Sequence, residues 1–406
     1  MLAVDEQLSI ILKGVEEIIS LEELENKLYK AKKEERPLTI KLGLDPTAPD
    51  IHLGHSVVLR KIRQMQDLGH RAVIVIGDFT GMIGDPTGRS TARKQLSRAE
   101  VMKNAKTYKE QMFKILDREK TEIRFNSEWL DKLSFHDVIE LSSKCTVAKI
   151  MEREDFKGRF EAHEPISMHE FFYPIIQGYD SVVLNADIEL GGTEQKFNIL
   201  MGRSLQRDLG QDSQVAIFMP ILEGIDGEKK MSKSFGNYIG IDELPEDMYG
   251  KVMSIPDELI IKYFELATDI HPDELVYKKM LLSRHNINPM DVKMQLAREI
   301  VSLYHDMDKA LKAEEYFKMV VQRKELPANM PVFEVPKEIM TNGSVDMSKL
   351  MVMAGLVSST SEGRRIISQG GVKINGITVR GHKDVFIRHN DVLKVGKRRF
   401  MRLVIA

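Results

Sequence analysis

Two short constellations in this 406-residue chain carry residue types suited to handling phosphate. The first is Asp45-Pro46-Thr47-Ala48-Pro49-Asp50-Ile51-His52-Leu53-Gly54-His55, which follows a strand-like run and opens a helix-like one. Backbone N–H groups at a helix start, with the positive end of the helix dipole, favour phosphate there. Gly54 permits close backbone approach, and His52 and His55, three apart, can point toward one bound nucleotide. Metal ligation by the two histidines is a rival reading, opposed by the lack of a third or fourth ligand nearby in sequence. A purely structural pair is another. The second constellation is Glu228-Lys229-Lys230-Met231-Ser232-Lys233-Ser234-Phe235-Gly236-Asn237, in a loop bounded by Gly224, Gly227 and Gly236. Lys230 and Lys233 can swing over a triphosphate and offset the charge that develops on a departing pyrophosphate. Read in isolation, the segment is more simply a solvated basic loop.

A third group lies in Phe171-Phe172-Tyr173-Pro174-Ile175-Ile176-Gln177-Gly178-Tyr179-Asp180. Tyr173, Gln177 and Asp180 stand at i, i+4 and i+7, which a helix would place on one face. Pro174, however, suits a helix start better than its middle. Such a trio facing a pocket can hold an α-amino group at one end and a phenolic hydroxyl at the other. Its apolar neighbours argue against the alternative, a solvated polar face.

These groups need a scaffold. Leu38 to Leu44 and Arg71 to Ile76 are β-branched-rich runs of buried parallel-strand type, and Ser56 to Leu68 between them has helical spacing. This strand-helix-strand unit opens a nucleotide-binding α/β domain, in which ligands gather at the carboxyl ends of strands. Gln214 to Phe218 supplies a late strand after a helix near Lys196 to Arg207. The pattern predicts a Rossmann-like, doubly wound catalytic domain over residues 1–245, with a mainly helical insertion at about 115–185 and a lysine loop at 228–237. Asp257 to about Lys324 has helical spacing, so 246–330 is expected to be an α-helical domain. Leu326 to Pro331 reads as a linker. In the final 337–406, Met347 to Gln369 predicts two short helices, and Val372 to Val379 a β-hairpin with a type I′ turn at Asn375-Gly376.

With 42% hydrophobic and 30% charged residues, and no apolar run near the roughly 20 residues of a membrane span, the composition is that of a soluble globular protein without a membrane partner. The first residues lack the basic flank of a secretory signal, and Glu16, Glu17, Glu22, Glu23 and Glu25 argue against an organelle presequence. A cytoplasmic location is expected. Cys145, the single cysteine, cannot form an internal disulfide and is expected to be buried packing. Residues 337–406 hold 13 Lys/Arg against 5 Asp/Glu, a net +8 that leaves −10 on the remainder. A basic module on an acidic body suggests a polyanionic partner, the alternative being a solvated charged face.

His52-Leu53-Gly54-His55 matches the H-x-G-H element of class I aminoacyl-tRNA synthetases, and Lys230-Met231-Ser232-Lys233-Ser234 matches their lysine-rich element. The resemblance implies amino acid activation by ATP, then transfer to a tRNA 3′ end. Phe171 to Asp180, Gly77 to Pro86 and Leu190 to Gln195 resemble the amino acid pocket of tyrosyl-tRNA synthetases, so L-tyrosine and tRNA(Tyr) are the implied partners. By that resemblance Tyr173, Gln177, Asp85 and Gln195 surround the amino acid backbone end, and Asp180 accepts the phenol hydrogen bond. Thr47, His52 and His55, with Lys230 and Lys233, act on the ATP phosphates. Gly54, Ser232 and Ser234 bind ATP, Gly192 and Glu194 meet its ribose, and Arg89 and Arg93 add cations near pyrophosphate. Lys41 stands where many members carry a second hydroxyl-binding tyrosine, as in one bacterial branch, and Glu194 replaces a commoner aspartate. The tail resembles the S4 RNA-binding module, with small α+β architecture. Arg364, Arg365, Lys373, Lys397, Arg398 and Arg399 form its expected phosphate-binding face. A homodimer built through the insertion, and Mg²⁺ accompanying ATP with no resident metal or tightly bound cofactor, are also implied. The tryptophan-specific synthetases are the nearest alternative by fold, though they usually lack the S4 tail and this polar trio. An inactive RNA-binding relative is opposed by the intact His52, His55, Lys230 and Lys233.

Overall fold

The computed structural model describes residues 2–45, 51–85, 98–284, 287–322, 330–341, 343–396 and 399–405. Among these, β1 (Glu17–Ile19), β2 (Thr39–Leu44), β3 (Arg71–Ile76), β4 (Thr121–Phe125), β5 (Ile188–Gly192) and β6 (Val215–Met219) build one sheet in the order β1-β6-β5-β2-β3-β4. β2 to β6 run parallel, and β1 closes one edge antiparallel to β6. The Leu53–Asp67 helix returns the chain from β2 to β3. Ala72 to Ile76 are buried throughout, as a central parallel strand requires, because helices cover both of its faces. The strand order reverses between β2 and β5, and ligands of such sheets bind at that switch point, beyond the carboxyl ends of the strands.

The apolar runs locate β2, β3 and β6, but three strands left weaker signals. β4 lies inside the stretch read as mainly helical. It is an edge strand, so Thr-Glu-Ile-Arg-Phe carries only two large apolar residues. β1 is three residues long, and β5 ends in two glycines.

The Met168–Leu184 helix continues straight through Pro174. A mid-helix proline costs about 3 kcal/mol, and tertiary packing offsets it. This helix lies against the Lys196–Asp208 helix so closely that a Cβ at Gly178 would come within 3.0 Å of the Gly202 nitrogen. Its first turn is fixed by Glu170, which accepts from the Ser167 N–H at 2.9 Å and forms a buried ion pair with Arg159.

The chain divides into two compact units, residues 1–243 with 254–296, and residues 244–253 with 297–406. The helical run from Asp257 is therefore parted between them. In the second unit the Pro245–Val252 and Met307–Phe317 helices meet through Tyr249 and Phe317, ring centroids 5.6 Å apart. Further strands follow: β7 (Val332–Val335), β8 (Ser344–Val345), β9 (Val372–Ile374), β10 (Ile377–Thr378), β11 (Val385–Phe386), β12 (Asp391–Val395) and β13 (Arg399–Ile405). Five of them form a sheet in the order β10-β9-β12-β13-β7. The two expected helices are Met347–Met353 and Thr360–Ser368. Asn375 and Gly376 turn the β9-β10 hairpin at φ 48° and 84°, the positive values a type I′ turn needs. The linker read at 326–331 lies largely outside the described residues. Cys145 is half-buried rather than buried, at the margin of a cluster containing Ile150 and Phe156. Among the described residues no helix is long and apolar enough to cross a membrane.

Candidate active site

A cavity of about 490 Å³ opens at the carboxyl ends of β2, β3 and β5. Its walls unite residues from distant stretches: His52, Gly54 and His55; Asp85; Tyr173, Gln177 and Asp180; Gly192, Glu194 and Gln195; Lys230 and Ser232. Lys233 and Ser234 follow in the same loop, outside the lining. Thr47, Arg89 and Arg93 lie outside the described residues.

At one end, His52 sits at the N-cap of the Leu53–Asp67 helix with extended backbone, φ −121° and ψ 171°, and its side chain makes no cap hydrogen bond. Its ring stacks on His55 instead, centroids 3.8 Å apart, and its buried Nδ1 has no hydrogen-bond partner among the described residues. Burial, then His55 and Lys233, push His52 down to about 3, so its ring is neutral at pH 7 with one N–H to donate, while His55 is exposed. A Cβ at Gly54 would lie 3.0 Å from His52 Cε1, a tight approach to the imidazole ring. Among the described residues no third His, Cys, Asp or Glu joins the two histidines in a metal-holding group.

The lysine loop is joined to this helix start through backbone. Leu53 N–H donates to the Ile239 carbonyl at 2.9 Å, His52 bridges to Gly240, and the Gly54 N–H lies 3.3 Å from Met231 Sδ. Buried Asn237 shapes the loop. Its Oδ1 accepts from Ser232 N–H at 2.8 Å, and its Nδ2 donates to Asp226 Oδ2 at 2.9 Å and to the Lys230 carbonyl at 3.2 Å. Lys230 and Ser234 remain exposed, while the Lys233 ammonium lies 5.9 Å from the Tyr238 ring centre.

The other end is a chain of buried polar side chains. Tyr173 donates its hydroxyl to Asp45 Oδ2 at 2.8 Å, Thr80 Oγ1 donates to Asp45 Oδ1 at 3.0 Å, and Asn126 Nδ2 donates to Thr80 Oγ1 at 3.1 Å. Asp180 accepts from Trp129 Nε1 at 2.8 Å and from Asn126 Nδ2 at 3.5 Å. Burial raises the Asp180 carboxyl to about 7, against the opposing pull of Lys41 and these donors. Tyr173, Gln177 and Asp180 do share one helix face, as their spacing predicts. Lys41 does not line the cavity: its ammonium lies beneath, 2.9 Å from Glu189 Oε1, 2.7 Å from Ser181 Oγ and 3.1 Å from the Gln177 carbonyl. Toward the cavity mouth, Gln195 Nε2 donates to Asp85 Oδ2 at 2.9 Å.

Sequence reasoning missed Asp45, Thr80, Asn126 and Trp129 as site residues. The first two lie inside motifs already singled out, and Trp129 is the chain's single tryptophan. Asn126 left no signal, since it acts from the end of the unrecognised β4. In the second unit Arg364, Arg365 and Lys373 are exposed. Arg399 is tethered to the Leu356 carbonyl and, at 3.3 Å, to Asp247. Lys397 and Arg398 lie outside the described residues.

The profile of the family described as tRNA synthetases class I (W and Y) matches residues 32–322, and that of the S4 domain matches residues 348–385. Tyrosine--tRNA ligase 2 of Clostridium acetobutylicum is 58% identical over 402 residues, 99% of each chain. Tyrosine--tRNA ligase of Moorella thermoacetica is 56% identical, covering 98% of this chain and 95% of its own. Among solved structures, tyrosyl-tRNA synthetase of Archaeoglobus fulgidus complexed with L-tyrosine shares the fold at TM-score 0.62 and 22% identity, covering 77% of this chain and 100% of that one. One cavity holding both phosphate-type motifs and the polar trio, and full-length identity of this order, lead to one assignment: the chain belongs to the tyrosine–tRNA ligase family of class I tRNA synthetases.

Proposed function

We propose that this cavity activates L-tyrosine with ATP and delivers the tyrosyl group to the 3′ end of tRNA(Tyr). The observation that carries the reading is Asp180, a buried acceptor held by Trp129 and Asn126 in the same cavity as His52 and Lys230. In the first step a tyrosine carboxylate oxygen attacks the ATP α-phosphorus, the bond to the bridging oxygen breaks, and pyrophosphate leaves. In the second, a hydroxyl of the terminal ribose attacks the tyrosyl carbonyl carbon and AMP departs.

Each group has a role in that sequence. Asp180 accepts the phenolic hydrogen bond; Asp85, Tyr173, Gln177 and Gln195 surround the amino acid backbone end. Lys41 acts at one remove, its charge favouring the ionised form of Asp180. Neutral His52, with His55 and Thr47, donates to the ATP phosphates, and Gly54 brings backbone close. Lys230 and Lys233, with Ser232, Ser234, Arg89 and Arg93, meet the charge that builds on pyrophosphate, an interaction strongest in the transition state. Gly192 and Glu194 hold the adenylate ribose. ATP enters as its Mg²⁺ complex.

The module with Arg364, Arg365 and Lys373 binds the tRNA backbone. The inserted segment exposes Phe135, Ile139, Val147, Phe160 and Met168, from 53% to 81% accessible, apolar side chains that a homodimer interface would cover. The protein works in the cytoplasm. ATP–pyrophosphate exchange measured with each of the twenty amino acids tests the reading: tyrosine alone is expected to drive exchange. Exchange driven by tryptophan, or none with any amino acid, would overturn it.

A further inference from the structure

Behind Asp85 and Gln195 lie Arg153 and Asn198, both buried and outside the cavity lining, which with them close a ring of side chains. Arg153 immediately precedes the Glu154–Glu161 helix of the inserted segment, and its side chain is 3% exposed. Its Nη1 donates to Asn198 Oδ1 at 2.7 Å, and its Nε and Nη2 donate to the two carboxylate oxygens of Asp155 at 3.0 Å each. The guanidinium is 3.9 Å from Asp85 Oδ1 and is flanked by the rings of Phe156 and Phe197 at 5.0 and 5.5 Å. Asn198 Nδ2 then donates to Gln195 Oε1 at 3.0 Å, and Gln195 Nε2 donates to Asp85 at 2.9 Å, closing the ring. The order of donors and acceptors around it is set from both ends, by a guanidinium that only donates and a carboxylate that only accepts. Arginine has only donors, so Asn198 must turn its oxygen toward Arg153 and its NH₂ toward Gln195. Gln195 must then turn its own NH₂ toward Asp85 and the cavity.

We propose that Arg153 is a positioning residue for tyrosine activation: acting through Asn198, it fixes the orientation of the Gln195 amide and the Asp85 carboxylate that receive the amino acid's backbone end. The inference rests on the reading that Asp85 and Gln195 hold that end of the substrate. Without the guanidinium the Asn198 amide loses the donor that holds its oxygen, its hold on Gln195 Oε1 loosens, and Asp85 loses a cation beside it.

The test uses the full-length enzyme and two ligands, L-tyrosine and 3-(4-hydroxyphenyl)propanoate, which lacks the ammonium group. Arg153→Gln is expected to weaken L-tyrosine about tenfold, the scale of one charge-assisted hydrogen bond, while the propanoate changes little. In exchange assays the KM for tyrosine rises and the KM for ATP does not. Asn198→Asp keeps the acceptor for Arg153 but removes the donor to Gln195, and is expected to shift the ligand ratio in the same direction. Arg153→Lys, which keeps the charge, falls between wild type and Arg153→Gln. Asp85→Asn separates the two layers. If it leaves the ligand ratio unmoved, the underlying assignment of Asp85 fails. If it moves the ratio while Arg153→Gln and Asn198→Asp do not, Arg153 is only structural and the proposal is overturned. Should Arg153→Gln not fold, Asn198→Asp decides, an unchanged ratio being the contrary result.

Discussion

The two ends of the cavity are built in opposite ways. At the end proposed to take tyrosine, Asp45, Thr80, Asn126, Trp129, Tyr173 and Asp180 form a continuous hydrogen-bonded chain of side chains drawn from several elements. At the end proposed to take the phosphates, backbone contacts and Asn237 shape the loop, His52 Nδ1 lacks a partner among the described residues, and Lys230 is exposed. A group meant to recognise the ground state gains from being pre-set, because the ordering cost is met in folding rather than in binding. Groups meant to stabilise charge that appears only on the way to products need to be available rather than already engaged. The contrast therefore predicts a division between affinity and rate.

Removing a lysine should give the largest effect. Lys233→Ala is expected to lower kcat for ATP–pyrophosphate exchange by roughly 10²-fold, with the KM for tyrosine nearly unchanged; a changed KM with an intact kcat would erase the contrast. Asp180→Asn should act the other way, raising the KM for tyrosine by roughly 10- to 100-fold, the worth of a hydrogen bond to a charged acceptor, while the KM for ATP stays put.

The pH dependence separates the ends again. Because burial raises Asp180 to about 7, the KM for tyrosine should rise about tenfold from pH 8 to pH 6 as the acceptor is protonated. His52, held down to about 3 by burial, should add no titration above pH 5. The stability signs are opposed as well. Asp180, raised from 3.8, contributes stability that is complete below its unfolded value and is lost as pH rises through 7. His52, lowered from 6.5, contributes stability present above that value and lost as pH falls through 3. A chemical-denaturation series across pH checks both directions. The smallest effect is expected from Trp129→Phe, which deletes the 2.8 Å donor to Asp180 and should raise the KM for tyrosine about fivefold, the scale of one hydrogen bond.

Chemistry-bearing residues that are close in sequence were the most legible part of the site. His52, Gly54, Lys230 and Ser232 meet in one cavity because a helix start and a glycine-bounded loop signal themselves locally. The face shared by Tyr173, Gln177 and Asp180 was legible from spacing, although Pro174 lies inside the helix, where proline is disfavoured. What could not be read was side-chain partnership across the sheet. Nothing local tells that Trp129 would reach Asp180, that Lys41 would turn away to Glu189, or that Arg153 and Asn198 would stand behind Gln195. The fold was legible where strands are central and apolar, as in β2, β3 and β6. It was obscure where edge strands such as β1 and β4 bury little. The parting of the helical run between two units also left no mark in composition.

The independence of the two ends is open to one direct measurement: single-turnover formation of tyrosyl-adenylate over a range of tyrosine concentrations, in the Asp180→Asn/Lys233→Ala double variant and both single variants. The predicted result is a double variant with the tyrosine dissociation constant of Asp180→Asn and the limiting rate of Lys233→Ala, each within about twofold, as additivity of uncoupled sites requires. A double variant no slower than Asp180→Asn alone, or one whose tyrosine affinity falls far below that of Asp180→Asn, would contradict it.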